Sequence, residues 1–123
     1  MSTVFKESVY LGDLLKFEEE NLYSRDNITV AAGQNLMLGT VLGMLGTKAF
    51  ALSPAATDGS ETVVGILIDD VDATAADAES VMVCRNAMVS YQYVIWPPGI
   101  STTQKATAIA ELNKLGVVIR QGA

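Results

Sequence analysis

Few side chains in this sequence are equipped to do chemistry. The 123-residue chain contains no histidine. That removes the commonest general base, triad partner and zinc ligand together. The single cysteine, Cys84, sits in Val83-Cys84-Arg85 and has no Cys-x-x-Cys partner. A thiol activated by Arg85 is one reading of it. A small buried hydrophobe inside a strand is the reading adopted here. Asp69, Asp70, Asp72 and Asp77 form an acidic cluster. A calcium loop wants acids at alternating positions, a central glycine and a late glutamate. Asp70-x-Asp72 lacks that glycine, so the cluster reads as a solvated turn at a strand end. Gly39, Gly43 and Gly46 are not followed by Gly-Lys-Ser/Thr, and no helix opens there, so they do not make a phosphate loop. The carboxylate pairs of glycoside hydrolysis are set by spatial separation, which sequence spacing does not give. The expectation is a protein that is not an enzyme, with no metal, no cofactor and no small-molecule substrate. An enzyme or ligand-binding domain would need Asp69, Asp70 and Glu79 to converge in a deep pocket.

The most conspicuous rigid aromatic site is Trp96-Pro97-Pro98-Gly99. Two prolines remove donors and fix φ, so regular structure must break there. Trp96 has two readings that stay open at this point. It is either an anchor between subunits, where tryptophan is enriched, or a core residue closing a strand-to-helix turn.

These residues must be positioned by short strands. Ile28-Thr29-Val30 reads as a strand followed by a turn at Ala31-Ala32-Gly33. The run Leu36–Leu45 is apolar but interrupted by glycines, which suits bent strands or close backbone approach. Lys48–Leu52 reads as another strand, and Ser53–Gly59 as a loop rich in turn formers. Thr62–Val71 is strongly β with little alternation, which implies burial on both faces. Asp72–Glu79 reads as a polar turn or a single helical turn. Ser80–Tyr93 is β again, with Val81, Val83, Val89, Tyr91 and Tyr93 at period two. One helix is clearly signalled. Ser101-Thr102-Thr103-Gln104 is a capping box, Gly116 is placed to stop the helix in the left-handed region, and Ala106, Ile109, Ala110 and Leu112 suggest its apolar stripe. Val117–Arg120 reads as a closing strand. The expected fold is therefore mainly β, built of short strands, with one α-helix in the C-terminal half.

Residues 1–26 differ from the rest, with six acids, three bases and clustered apolar residues but no clear period. They read as an extended N-terminal arm that is poorly ordered alone, and residues 27–123 as a β-rich body. Half of the chain is apolar and only 18% is charged. That is one domain's worth of sequence, with a surface poor enough in charge to suggest contact with copies of itself or a partner. Eight bases against fourteen acids give a net charge of −6. Phosphate and anionic lipid both require clustered Lys and Arg, so neither nucleic acid nor a membrane is expected as a partner. No apolar run approaches the ~20 residues of a membrane span. Lys6-Glu7 with no apolar run after it is not a secretory signal. A lone cysteine excludes an intrachain disulfide and fits folding in a reducing cytoplasm.

Several segments together resemble the phage lambda head decoration protein family. They are Ala55-Ala56-Thr57-Asp58-Gly59, Val64-Gly65-Ile66-Leu67, Val94-Ile95-Trp96-Pro97, the Lys-containing helix and Val117-Val118-Ile119. Val30-Ala31-Ala32-Gly33, Leu38-Gly39-Thr40-Val41-Leu42-Gly43 and Asp69 to Ala78 look like the longer members. The resemblance spans about residues 27–120 and lies in the order and spacing of the pieces. It implies a β-clip-like fold and a capsid cement that acts as a homotrimer. The trimer would sit at local threefold positions on the outer surface of the expanded capsid. It would bind the major capsid protein and lock the shell against internal DNA pressure. Synthesis in the bacterial host's cytoplasm is expected. The resemblance further implies an N-terminal arm that orders on the capsid by strand addition, for which Val4, Phe5, Val9, Tyr10, Leu11, Leu14, Leu15 and Phe17 are the available anchors. Here the arm departs from the family pattern in its cluster of Leu, Phe and Glu, which leaves docking as strand, helix or both open. Trp96, Pro97 and Pro98 are the candidate subunit interface. The alternative is another phage part, such as a tail-tube or head-completion protein.

Overall fold

The computed structural model describes residues 14–18 and 24–121. Ten strands and one long helix are found there: β1 (Leu15–Glu18), β2 (Arg25–Val30), β3 (Gln34–Leu36), β4 (Val41–Leu45), β5 (Lys48–Ala51), β6 (Val63–Leu67), β7 (Val71–Ala73), β8 (Ala78–Val83), β9 (Ala87–Ser90), α1 (Thr102–Leu115) and β10 (Val117–Arg120). The chain is mainly β, as its pattern predicts.

Five strands close a small barrel in the order β2-β5-β4-β6-β8. All its pairs are antiparallel except β2 with β5, which meet in parallel at Thr29 and Val30. A second sheet has the order β1-β9-β10, with β1 antiparallel and β10 parallel to the central β9. β3 and β7 form a separate two-stranded ribbon.

The unalternating run of β6 is explained by its place between two cores. Val63 and Ile66 belong to the cluster shared with α1 and the three-stranded sheet. Leu67, with Val64 packed beside it, belongs to the barrel interior. β6 is joined on one side by β4, with a register shift between Leu42 and Gly43 where β6 carries the extra residue Val64. A Cβ at Gly43 would overlap the Ser60 carbonyl, so the close backbone approach expected of these glycines is found there.

The helix forms where its end signals place it. The Ser101 hydroxyl accepts from the Gln104 backbone N–H at 3.0 Å, and the Ser101 N–H donates to the Gln104 side chain at 2.9 Å. Gly116 ends the helix at φ +98°, and a Cβ on it would lie 2.9 Å from the Asn86 nitrogen. The expected apolar stripe is displaced. Ala108 and Leu112 are the buried residues, whereas Ala106 and Ala110 are exposed. Alanine marks a helix face weakly, and here the packed face also carries polar residues that are put to use. Glu111, one residue from Leu112, accepts from the Val63 N–H at 3.0 Å.

Three other expectations are corrected. The strand expected over 62–71 breaks after Leu67, because Asp70 turns to accept from the Leu38 N–H at 2.8 Å. The stretch expected as a turn from 72 to 79 contains β7 and the start of β8. The strand expected over 80–93 is interrupted at Asn86, which has φ +50°, and ends in a 3-10 turn at Tyr91–Tyr93.

The boundary expected at residue 26 falls inside β2, where Arg25 pairs with Val83 and Asp26 with Met82. Further upstream, Leu14 is fully buried in the cluster that holds Val89, Leu112 and Val117. Next to it, Leu15 pairs with Val89, and Phe17 with Met88. Burying a leucine fully is worth roughly 1.5–3 kcal/mol, so this piece is a stabilising part of the body. Leu14→Ala is expected to lower unfolding free energy by roughly 2–5 kcal/mol in urea titration. An unchanged midpoint would mean that residue 14 belongs to a loose arm.

Candidate interaction surfaces

Asp70, Asp72, Asp77, Glu79 and the Cys84 thiol, flagged by the sequence, are each held by a hydrogen bond. Asp72 accepts from the Thr74 hydroxyl and N–H. Asp77 accepts from the Ala32 N–H at 2.8 Å and pairs with Lys48 at 2.8 Å. Glu79 accepts from the Thr29 hydroxyl at 2.9 Å. With Asp70 held on Leu38, these carboxylates tie turns and the β2–β8 pair rather than converge on a pocket. No group of three or more His, Cys, Asp or Glu able to hold a metal ion lies among the described residues.

Cys84 follows the last residue of β8 and is 4% exposed. Its thiol donates to the Ser24 carbonyl at 3.7 Å. Burial, reinforced by the nearby Asp26 charge, pushes it up to about 11. Arg85, the side chain that could have activated it, is paired instead with Asp26 at 3.0 and 3.2 Å. The thiol is a packed apolar group, as its setting in the sequence suggests.

The core-packing reading of Trp96 is met. Its ring is half-buried and packs against the main core cluster. Tyr91 lies 6.1 Å away with its ring tilted by 47°, and the Lys105 ammonium sits 5.9 Å from the indole centroid. The indole Nε1 is buried and finds no acceptor among the described residues. The backbone before it is fixed by a bridge to the β3–β4 turn: the Ile95 N–H donates to the Gly39 carbonyl at 2.8 Å, and the Val41 N–H to the Ile95 carbonyl at 3.2 Å. Pro97 and Pro98 lack the N–H groups needed to extend that ladder.

The result is an open groove of about 260 Å³ between the β3–β4 turn and the Trp96-Pro97-Pro98 segment. Its wall is almost wholly apolar and carries no charged side chain. Met37 and Ile95, at 50% and 42% exposure, are among the most exposed large apolar residues described. The groove thus gathers Trp96, Pro97 and Pro98 with two residues that sequence reasoning did not single out. Ile95 gave a signal as the neighbour of Trp96. Met37 gave none, because its exposure depends on the tertiary bridge.

Of the expected arm residues, Leu14, Leu15 and the backbone of Phe17 lie on the body. Val4, Phe5, Val9, Tyr10 and Leu11 lie outside the described residues.

The described residues thus form a small β protein with an apolar groove, an outer strand at β10 and carboxylates bonded to nearby groups. Residues 4–117 match the family model of the bacteriophage lambda head decoration protein D, and the chain belongs to that family. It is accordingly a structural protein of the phage head rather than a tail-tube or head-completion part. No individually curated protein matches it. No described helix is long and apolar enough to cross a membrane.

Carboxylates held by hydrogen bonds and ion pairs should make the fold acid-sensitive. Arg85 holds Asp26 below the ordinary carboxylate range, Lys48 does so for Asp77, Thr74 for Asp72 and Ser60 for Asp58. Each depressed carboxyl stabilises the fold above its unfolded value near 4. That stability is lost as pH falls through the lower folded value. Thermal midpoints should therefore be level near neutrality and drop below about pH 4. Asp26→Asn should lower the plateau and make the drop shallower.

Proposed function

We propose that this chain is a capsid cement that attaches as a homotrimer at local threefold positions on the outside of the expanded head, holding the shell against internal DNA pressure. The observation carrying this reading is the family match combined with an uncharged apolar groove on an acidic protein. Copies that each carry −6 repel one another. A contact free of charge is where self-association costs least electrostatically. The groove around Trp96, Pro97 and Pro98, with Met37 and Ile95 on it, is the proposed subunit contact. Desolvated aromatic anchors of this kind dominate interface energies.

The major capsid protein is the proposed second partner, reached by the N-terminal residues. Leu14 and β1 pack on the body, so the arm that grips the lattice is shorter than the sequence pattern suggests. Its anchors are Val4, Phe5, Val9, Tyr10 and Leu11. A threefold particle carries three such arms, and linked weak contacts become avid attachment. Strand addition suits such an arm, because backbone hydrogen bonds form whatever its side chains are.

Two experiments test this. Native mass measurement should give a trimer for the full chain, and Met37→Asp with Ile95→Asp should give a folded monomer. A trimer surviving that double substitution would move the subunit contact elsewhere. Removal of residues 1–12 should leave the trimer and its melting point intact but abolish co-pelleting with undecorated capsids. Removal of residues 1–20 should in addition destabilise the body, because it strips Leu14 and β1. Co-pelleting of the 1–12 deletion at wild-type affinity would exclude the arm as the attachment device.

A further inference from the structure

β10 is an outer strand of the β1-β9-β10 sheet and has no second neighbour among the described residues. Its parallel register with β9 (Val117 opposite Ala87, Ile119 opposite Val89) and the Ala87 N–H to Gly116 carbonyl bond fix which groups face inward. In a parallel ladder alternate residues bond to one neighbour. Val118 and Arg120 therefore serve β9, and the N–H and C=O of Ile119 point to the open edge.

Leu115 and Val118, 40% and 38% exposed, line this edge. Lys114 and Arg120, both exposed, bracket it. Residues 112–123 contain these two bases and no acid, on a chain whose net charge is −6. Lys114 and Leu115 also line an open cleft of about 640 Å³, whose wall carries Asn86 and the Arg85–Asp26 ion pair. The edge thus offers unpaired backbone, apolar side chains, flanking positive charge and adjoining space.

We propose that the β10 edge is a strand-docking strip for an extended, acid-flanked segment of the capsid lattice protein. The proposal rests on the capsid-binding reading above. Two identical β10 edges would set Lys114 and Arg120 of one copy against those of another, which disfavours self-pairing. An incoming acidic strand gains the same charges instead. β10 shares its sheet with β1, the strand that follows the proposed lattice-binding residues in sequence, so both proposed contacts would engage the lattice through one sheet. The Trp96 groove has no lining residue in common with this strip.

The test uses the full chain and undecorated capsids of the parent phage. Hydrogen exchange at the Ile119 amide should slow on capsid binding. Lys114→Glu with Arg120→Glu should weaken co-pelleting by at least about tenfold without changing the melting point or the trimer mass. Lys114→Arg with Arg120→Lys should restore it. Added salt should weaken wild-type attachment more than that of the charge-reversed protein. Unchanged attachment of the charge-reversed protein, with an unprotected Ile119, would overturn the proposal while leaving capsid binding intact. Loss of the trimer in that variant would also overturn it, by assigning the strip to a second copy. Failure of the wild type itself to pellet would sink the capsid-binding reading, a distinct result.

Discussion

The burial of Leu14 governs how the rest of the molecule can work. This side chain has no exposed surface and shares a core cluster with Val89 of β9, Leu112 of α1 and Val117 of β10. It ties the start of β1 to the same packing that holds the helix and the C-terminal strand. β9 sits between β1 and β10, so a change at either outer strand is felt by the other through one central strand. The sheet is small, and three strands with one apolar face are about the minimum that is stable without further support. α1 and the barrel strand β6 supply that support from the other side of the cluster.

Much of this architecture was legible because it is locally encoded. The Ser101–Gln104 box and Gly116 fix the ends of α1 through single side-chain and backbone requirements, and both are met. The unalternating β6 run announces burial on two faces, and it separates two cores. What could not be read depends on partners distant in sequence. Nothing near Leu67 announces a break, because the break is made by Asp70 reaching Leu38, 32 residues away. The working face of α1 was misread because two of its four candidate positions are alanines, and the packed face gains from Glu111 bonding a strand. β1 was hidden because its pairing with β9 spans about seventy residues of sequence, and its short acidic surroundings look like an unstructured leader.

The candidate surfaces divide in the same way. Trp96-Pro97-Pro98 stands out from composition alone, since a rigid aromatic beside two prolines has few structural uses. The groove that gives it meaning does not, because Met37 joins it only through the Gly39–Ile95 bridge. The β10 edge is likewise invisible in sequence. Val117–Arg120 reads as a strand, but whether it is central or outermost depends on the order β1-β9-β10.

On the proposed reading, magnitudes favour an N-terminal segment and a preformed edge acting together. Ordering the thirteen residues before Leu14 would cost on the order of 13–26 kcal/mol in backbone entropy. Full burial of the five arm anchors returns roughly 8–15 kcal/mol, and backbone hydrogen bonds exchanged with water add only about 1 kcal/mol each. On these figures the whole segment does not repay its ordering, so only part of it would be fixed. β10 is already fixed by β9 and by the helix that precedes it. A strand laid on that edge pays for its own ordering but not for the edge's, which is the advantage of a preorganised site. A capsid cement of the kind proposed would gain from this split. Ordering that whole segment would cost too much without a lattice to bury it, and the like charges along the edge would repel a second copy.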